Sequence, residues 1–338
     1  ARTAARIWAA MLDPRRQDIR MSHDGYLKLY TDAMPRIRGY DALLIDEAQD
    51  LAPATVAIVQ AQDGLQRIVV GDESQSIYGF RGAVNAMRLF GGKRLSLSQS
   101  FRFGPSIARI ANSVLAQSGR QLALQGLGGP SRVSFRAPDG DYAFLSRTNA
   151  GAVLAAVESE AARVHFAGGL AAYLVERMRD AGLLARGQRR LVRDAEFSRF
   201  SSLGALEAYG REIADVEILA VVGLVKQLGT DLERVLDDLG RRAVEHPREA
   251  DFTVATAHKV KGLEYDNVAL GPFFDWEEYV KRRDRGLTRD MVEELNLLYV
   301  AATRARCTLF GNETLRACWR EFDAGAGANA GEVAAAAV

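Results

Sequence analysis

Two short apolar runs, each ending in aspartate, constrain this chain more than any other feature. They are Asp41-Ala-Leu-Leu-Ile-Asp46 and Arg67-Ile-Val-Val-Gly-Asp72, and a helical stretch from about Pro53 to Gln62 lies between them. Each run reads as a buried parallel strand with acids at its carboxyl end, and two such strands joined through a helix make a βαβ unit. Parallel pairing needs a crossover on one side of the sheet, so the fold class is α/β with helices over parallel sheets.

The same alternation resumes further along. A strand is expected at Leu95 to Leu97, a helix at about Pro105 to Ser118, strands near 132–136, 142–146 and 163–167, and a helix near 150–162. From about Leu170 to Ala250 the pattern is almost wholly helical, with apolar residues at three and four spacing and many Arg opposite them. Strand character returns at Phe252 to Thr256 and Asn267 to Leu270. A helix from Thr288 to Arg306 then feeds a strand at Cys307 to Gly311. The Ala- and Gly-rich end from Asp323 reads as a frayed tail.

At 338 residues the chain is long enough for about two domains. With 44 Lys plus Arg against 43 Asp plus Glu, it is not a polycation, although a local basic groove is compatible with that balance. The cysteines Cys307 and Cys318 form no disulfide framework, so a reducing, cytoplasmic setting is expected. The longest apolar stretch, near Ile213 to Val225, is broken by Asp215 and Glu217, so no membrane partner is expected.

Two clusters carry chemistry. In Leu44-Ile45-Asp46-Glu47-Ala48-Gln49-Asp50, a strand-end acid can hold Mg²⁺ through water while its neighbour polarises an attacking water. A solvated acid pair explains those residues equally well when they are taken alone. In Gly71-Asp72-Glu73-Ser74-Gln75-Ser76-Ile77-Tyr78-Gly79-Phe80-Arg81-Gly82, Gln75 can reach a terminal phosphate, and Tyr78 and Phe80 can stack on bases or else serve as core aromatics.

The combination DEAQD then GDESQSIYGFRGA resembles motifs II and III of superfamily 1 helicases of the UvrD/Rep type, and four further blocks follow in that family's order. They are Leu97 to Arg102, Leu145 to Asn149, Thr256 to Glu264, and Glu293 to Ala305. Phe80, the Ser100-Phe-Arg-Phe-Gly104 wording and Asn296 are most similar to the F-box DNA helicase branch. The resemblance implies tandem RecA-like P-loop NTPase motor domains. Residues 1–92 would be the rear of an incomplete first domain, 93–169 with 251–322 the second, 170–250 a helical insertion and 323–338 a flexible tail.

It also implies site residues. Asp46 would organise Mg²⁺, Glu47 would activate the attacking water and Gln75 would sense the γ-phosphate. Arg102 and Arg304 would be arginine fingers, a role suited to a planar, permanently charged guanidinium. Phe101, Gly262 and Glu264 would contact the nucleotide, with Phe101 on the adenine. Tyr78, Phe80, Arg81, Thr256 and His258 would lie along single-stranded DNA. The implied activity is ATP-dependent 3′ to 5′ DNA translocation or unwinding in repair or recombination. Single strands and single-strand/duplex junctions would be the partners, ATP and Mg²⁺ the cofactors, and the motor would be a monomer.

A Gly-x-x-x-x-Gly-Lys-Ser/Thr phosphate loop occurs nowhere in the chain. In the family that loop precedes the DEAQD block, so the chain is expected to be a piece of a longer protein and a poor ATPase alone. The alternative is a non-catalytic nucleic-acid-binding module derived from such a motor.

Overall fold

The computed structural model describes residues 2–16, 18–120 and 123–335, with side chains to residue 324. It divides into two compact units, residues 1–95 and 96–338.

In the first unit, α1 (Arg2–Leu12) and α2 (His23–Asp32) precede the βαβ element. The Ser22 hydroxyl starts α2 by accepting the Gly25 N–H at 3.1 Å. β1 (Ala42–Ile45), α3 (Pro53–Gln60) and β2 (Gln66–Val69) follow, with Pro53 at the first turn of α3. The two strands pair in parallel, Ala42 opposite Gln66 through Ile45 opposite Val69, as the apolar runs predict.

Their expected burial is corrected. Ile45 faces a small core with Ala48 and Val59, joined by Leu43 and Val69, whereas Leu44 is 78% exposed and its cross-strand partner Ile68 is also exposed. A strand is dry on both faces only when layers cover both. Within the described residues of this unit the Leu44 face has no such layer.

The second unit begins with β3 (Gln99–Ser100), α4 (Pro105–Gln117) and β4 (Gln125–Gly126), the two strands forming a short parallel pair. The strand expected at Leu95 to Leu97 is absent: both leucines are exposed, and pairing starts only at Gln99. β5 (Arg132–Ser134), β6 (Ala143–Ser146), α5 (Asn149–Glu158), β7 (Val164–Phe166) and α6 (Val175–Ala185) come next, then α7 (Leu203–Glu212), α8 (Val216–Leu228) and α9 (Leu232–Arg242). β8 (Ala243–Val244), β9 (Phe252–Thr256), β10 (Tyr265–Leu270), α10 (Trp276–Arg283), α11 (Arg289–Ala302), β11 (Ala305–Phe310) and α12 (Glu313–Ala335) complete the order. The backbone is thus helical through most of the stretch whose composition reads as a frayed tail.

Seven strands form one parallel sheet in the order β5-β11-β10-β6-β9-β7-β8. α4 packs with α11 and α12 over the β5–β11–β10 end, and α5 packs on β6 and β9. The mainly helical region does not stand apart. Met178, Leu206, Val221, Leu232 and Leu236 share one continuous core with Val153, Phe166 and Val254. β8 extends the sheet from within that region. α8 begins where polar residues interrupt the apolar stretch: Asp215 caps it by accepting the N–H groups of Glu217 and Ile218, both at 2.9 Å.

Candidate functional site

In a parallel sheet all carboxyl ends lie on one side, and that is where side chains can converge on a ligand. In the first unit Asp46 and Glu47 leave the end of β1 exposed. Glu47 takes a left-handed backbone conformation, φ 50° and ψ 39°, that a non-glycine residue rarely adopts. The turn is held by the Asp46 carboxylate, which accepts the Glu47 N–H at 2.8 Å, and by the Gln49 amide, which donates to Glu47 Oε2 at 2.5 Å.

Gln49 is the residue whose importance sequence reading missed. It is buried, and its Oε1 accepts the Asp72 N–H at 3.1 Å at the end of β2. Its own carbonyl accepts the Ser76 hydroxyl at 3.1 Å. Asp72 in turn accepts the Ser74 N–H at 2.8 Å and the Gln75 side-chain amide at 2.9 Å. A hydrogen-bonded string therefore runs from Glu47 through Gln49 and Asp72 to Gln75. Gly71 leaves room for this amide, because a Cβ there would overlap Gln49 Oε1 and force the Gln49 side chain to shift.

The same string leads to an aromatic pair. Ile77 takes the core position, Tyr78 is half-buried and Phe80 is 67% exposed, which removes the core-aromatic reading for Phe80. The two rings lie 6.3 Å apart, and the Arg81 guanidinium sits 5.3 Å from the Tyr78 centroid and 5.4 Å from that of Phe80. This is a π-rich, cationic surface of the kind that stacks on bases.

In the second unit Phe101 is 76% exposed, while Phe103 is buried in the core. Arg102 turns away from both rings: its Nε donates to Glu264 Oε2 at 3.0 Å and its Nη1 to the Thr303 carbonyl at 3.5 Å. Arg306 approaches the same Glu264 at 3.5 Å and Asp266 at 3.3 Å. Gly262 makes the turn before Glu264 with φ +83°, a conformation natural to glycine.

Arg304 is 1% exposed. It donates to the Val300 carbonyl at 2.9 Å, the Leu263 carbonyl at 3.3 Å and the Thr303 hydroxyl at 3.1 Å. Arg102, Glu264, Gly262 and Arg304 are thus brought together, with Arg102 partly open to solvent and Arg304 enclosed.

Thr256 ends β9 and is buried, and the half-buried His258 follows in the turn. Beside them the structure gathers residues to which sequence reading assigned no role. Arg147, after β6, makes a bidentate contact with Glu294 of α11, at 2.7 Å between Nη2 and Oε1. Burial opposes the Arg147 charge, but Glu294, with Glu217 and Asp215 adding, holds its pKa above the ordinary value. Asn149 Oδ1 accepts the Lys259 ammonium at 2.7 Å, and that ammonium lies 4.3 Å from the Tyr173 ring centroid. Burial lowers the Lys259 pKa, and Glu217 opposes the shift. The Leu145 to Asn149 block was the available signal, but it did not say which of its side chains mattered.

Among the described residues no group of three or more His, Cys, Asp or Glu is arranged to hold a metal. Asp46 offers instead one exposed carboxylate beside another, a donor set suited to Mg²⁺, which takes few protein ligands and keeps several waters. No described helix is long and apolar enough to cross a membrane.

Comparison with known proteins bears on the same segments. Residues 21–90 match the UvrD/REP helicase N-terminal domain, and residues 230–312 match the UvrD-like helicase C-terminal domain. F-box DNA helicase protein 1 of Schizosaccharomyces pombe is 31% identical over 92% of this chain and 38% of its own length. F-box DNA helicase 1 of Gallus gallus is 33% identical over 86% of this chain and 31% of its own length. ATP-dependent DNA helicase UvrD2 of Mycobacterium tuberculosis is 28% identical over 80% of this chain and 47% of its own length. The chain therefore spans only 31–47% of the length of these curated relatives. With its parallel α/β architecture and matches to both the N-terminal and C-terminal domains, the chain belongs to the UvrD-like helicase family.

Proposed function

We propose that this chain carries part of an ATP-driven DNA translocase, with Asp46, Glu47 and Gln75 serving hydrolysis and Tyr78, Phe80, Arg81, Thr256 and His258 serving single-stranded DNA. The observation that carries this reading is the string Glu47–Gln49–Asp72–Gln75, which joins the hydrolytic acids to the segment bearing the exposed Phe80. A motor needs such a connection, because phosphate chemistry must be felt where the strand is held. Action on junctions, 3′ to 5′ movement, monomeric working and a repair or recombination role rest on the resemblance alone.

In this reading Asp46 would hold Mg²⁺, and Glu47 takes the proton of the attacking water. Mg²⁺, when bound, neutralises phosphate charge. Gln75 senses the γ-phosphate, Phe101 packs on the adenine, and Gly262 shapes the turn that presents Glu264 to the nucleotide. Arg102 is the readier arginine finger, since it gives up a partly exposed ion pair with Glu264 and one long hydrogen bond to the Thr303 carbonyl, whereas Arg304 would have to leave an enclosed site and two backbone carbonyls. Hydrolysis requires a phosphate loop to cradle the nucleotide, and the 338-residue sequence has none. The chain by itself is therefore proposed to bind DNA without appreciable ATP turnover.

The test is fluorescence anisotropy of the chain with a labelled oligothymidine, together with an ATPase assay. Binding is expected, and Phe80→Ala is expected to weaken it about tenfold, the scale of one lost base stack. Equal affinity of the variant would remove Phe80 from the interface. A turnover of about 1 s⁻¹ or more, ordinary for an enzyme, would refute the inactivity. The non-catalytic alternative separates at the gene: an in-frame phosphate-loop run upstream of the Ala1 codon favours the motor, and a start codon there favours the binding module.

A further inference from the structure

We propose that Glu217, in the first turn of α8, is a positioning residue for the single-stranded DNA site formed around Thr256 and His258, an inference that rests on the DNA-binding reading above. The Glu217 carboxylate reaches across to α5 and accepts the Asn149 N–H at 3.1 and 3.0 Å and the Ala150 N–H at 3.4 Å. These are among the first N–H groups of that helix, which have no partner within it, and a carboxylate there also meets the positive end of the helix dipole. Thr148 satisfies the next one, accepting the Gly151 N–H at 3.0 Å.

The start of α5 is thereby fixed, and with it the Asn149 side chain. Asn149 Oδ1 holds the Lys259 ammonium at 2.7 Å. Lys259 directly follows His258, and its N–H donates to the Thr256 carbonyl at 2.9 Å. The other end of the turn is pinned to β6 by the Ala257 N–H on the Ser146 carbonyl at 2.8 Å. An unbroken set of contacts thus runs from the helices after β7 to the turn carrying Thr256 and His258. Glu217 is the link from α8.

The sign of the effect separates positioning from plain electrostatics. An acid near a polyanion repels it, so removing Glu217 would tighten binding if the residue acted only through space. If it acts by placing Asn149 and Lys259, removal weakens binding.

The experiment measures oligothymidine affinity of the 338-residue chain by anisotropy, below the melting temperature of each variant. Glu217→Ala and Glu217→Asp, which cannot reach Asn149, are expected to weaken binding about tenfold, the scale of a lost charge-assisted hydrogen bond. Glu217→Gln, whose Oε1 has the same reach, is expected to stay within about twofold of the parent chain. Glu217→Ala should also cost less in an Asn149→Ala background, because the two act in series. Should Glu217→Ala unfold, the Asp and Gln variants decide the matter. Unchanged or tighter binding by Glu217→Asp, or Glu217→Gln falling as far as Glu217→Asp, overturns the proposal. A parent chain that binds no single strand overturns the DNA-binding reading itself, and the proposal with it.

Discussion

Glu47→Gln is expected to reduce DNA-stimulated ATP hydrolysis by about 10²- to 10⁴-fold in a helicase where these motifs are joined to a phosphate loop, the range associated with losing a general base. The substitution preserves size and hydrogen-bonding reach but removes the basic oxygen. The environment makes the test clean. Glu47 is held in its left-handed turn by its N–H donating to the Asp46 carboxylate and by its own carboxylate accepting the Gln49 amide, and a glutamine can sit in the same place. Nucleotide affinity, measured separately by equilibrium binding, should change little, because a base acts on the attacking water and not on the bound phosphates. A loss confined to turnover is the expected signature. Hydrolysis at the parent rate would show that Glu47 does not take the proton.

Arg304→Ala is expected to have the largest effect on stability. The guanidinium is 1% exposed and spans the Val300 carbonyl, the Leu263 carbonyl and the Thr303 hydroxyl, so it ties the end of α11 to the turn before β10. Alanine removes three hydrogen bonds from a dry interior and opens a void, together costing about 3 kcal/mol or more. For a unit of this size that corresponds to a fall of about 6–12 °C in the unfolding midpoint, read by differential scanning calorimetry. Arg102→Ala is the control. Its contact with Glu264 is a partly exposed ion pair, worth at most about 1 kcal/mol, so its midpoint should move by no more than a few degrees. Equal midpoints for the two variants would refute the structural role of Arg304.

These two arginines also show where reading a sequence stops. Both stand in blocks whose wording suggests the same chemistry, and nothing in either block says that one side chain is enclosed while the other lies partly open. The difference arises because Arg304 sits at the turn from α11 into β11, beneath backbone that only the folded sheet brings near. Gln49 illustrates the same limit on a smaller scale. An amide among acids reads as a loop residue, yet it is the clasp between β1 and β2 because the parallel pairing puts the two strand ends side by side.

Local patterns were more legible. The apolar runs before Asp46 and Asp72 became parallel strands, with α3 crossing between them. Asp215, read only as an interruption of an apolar stretch, became the cap of α8. The Leu95 to Leu97 run failed because short-range apolar character makes a strand only when a neighbour is present to accept its hydrogen bonds. Leu44 failed in burial for a related reason: a continuous apolar run is apolar on both faces, but does not show whether a layer covers each of them.

The sequence by itself therefore determined the parallel α/β class, the order of the motif blocks and the chemical types offered at the strand ends, since these depend on residues a few positions apart. The tertiary structure alone decided that Arg102 meets Glu264, that Gln49 joins the two strand ends, that Arg304 is buried and that Glu217 reaches Asn149. Arg102 with Glu264, Gln49 with Asp72, Glu217 with Asn149 and Arg304 with the Leu263 carbonyl each join residues distant in the chain, and their partners are chosen by how strands and helices pack.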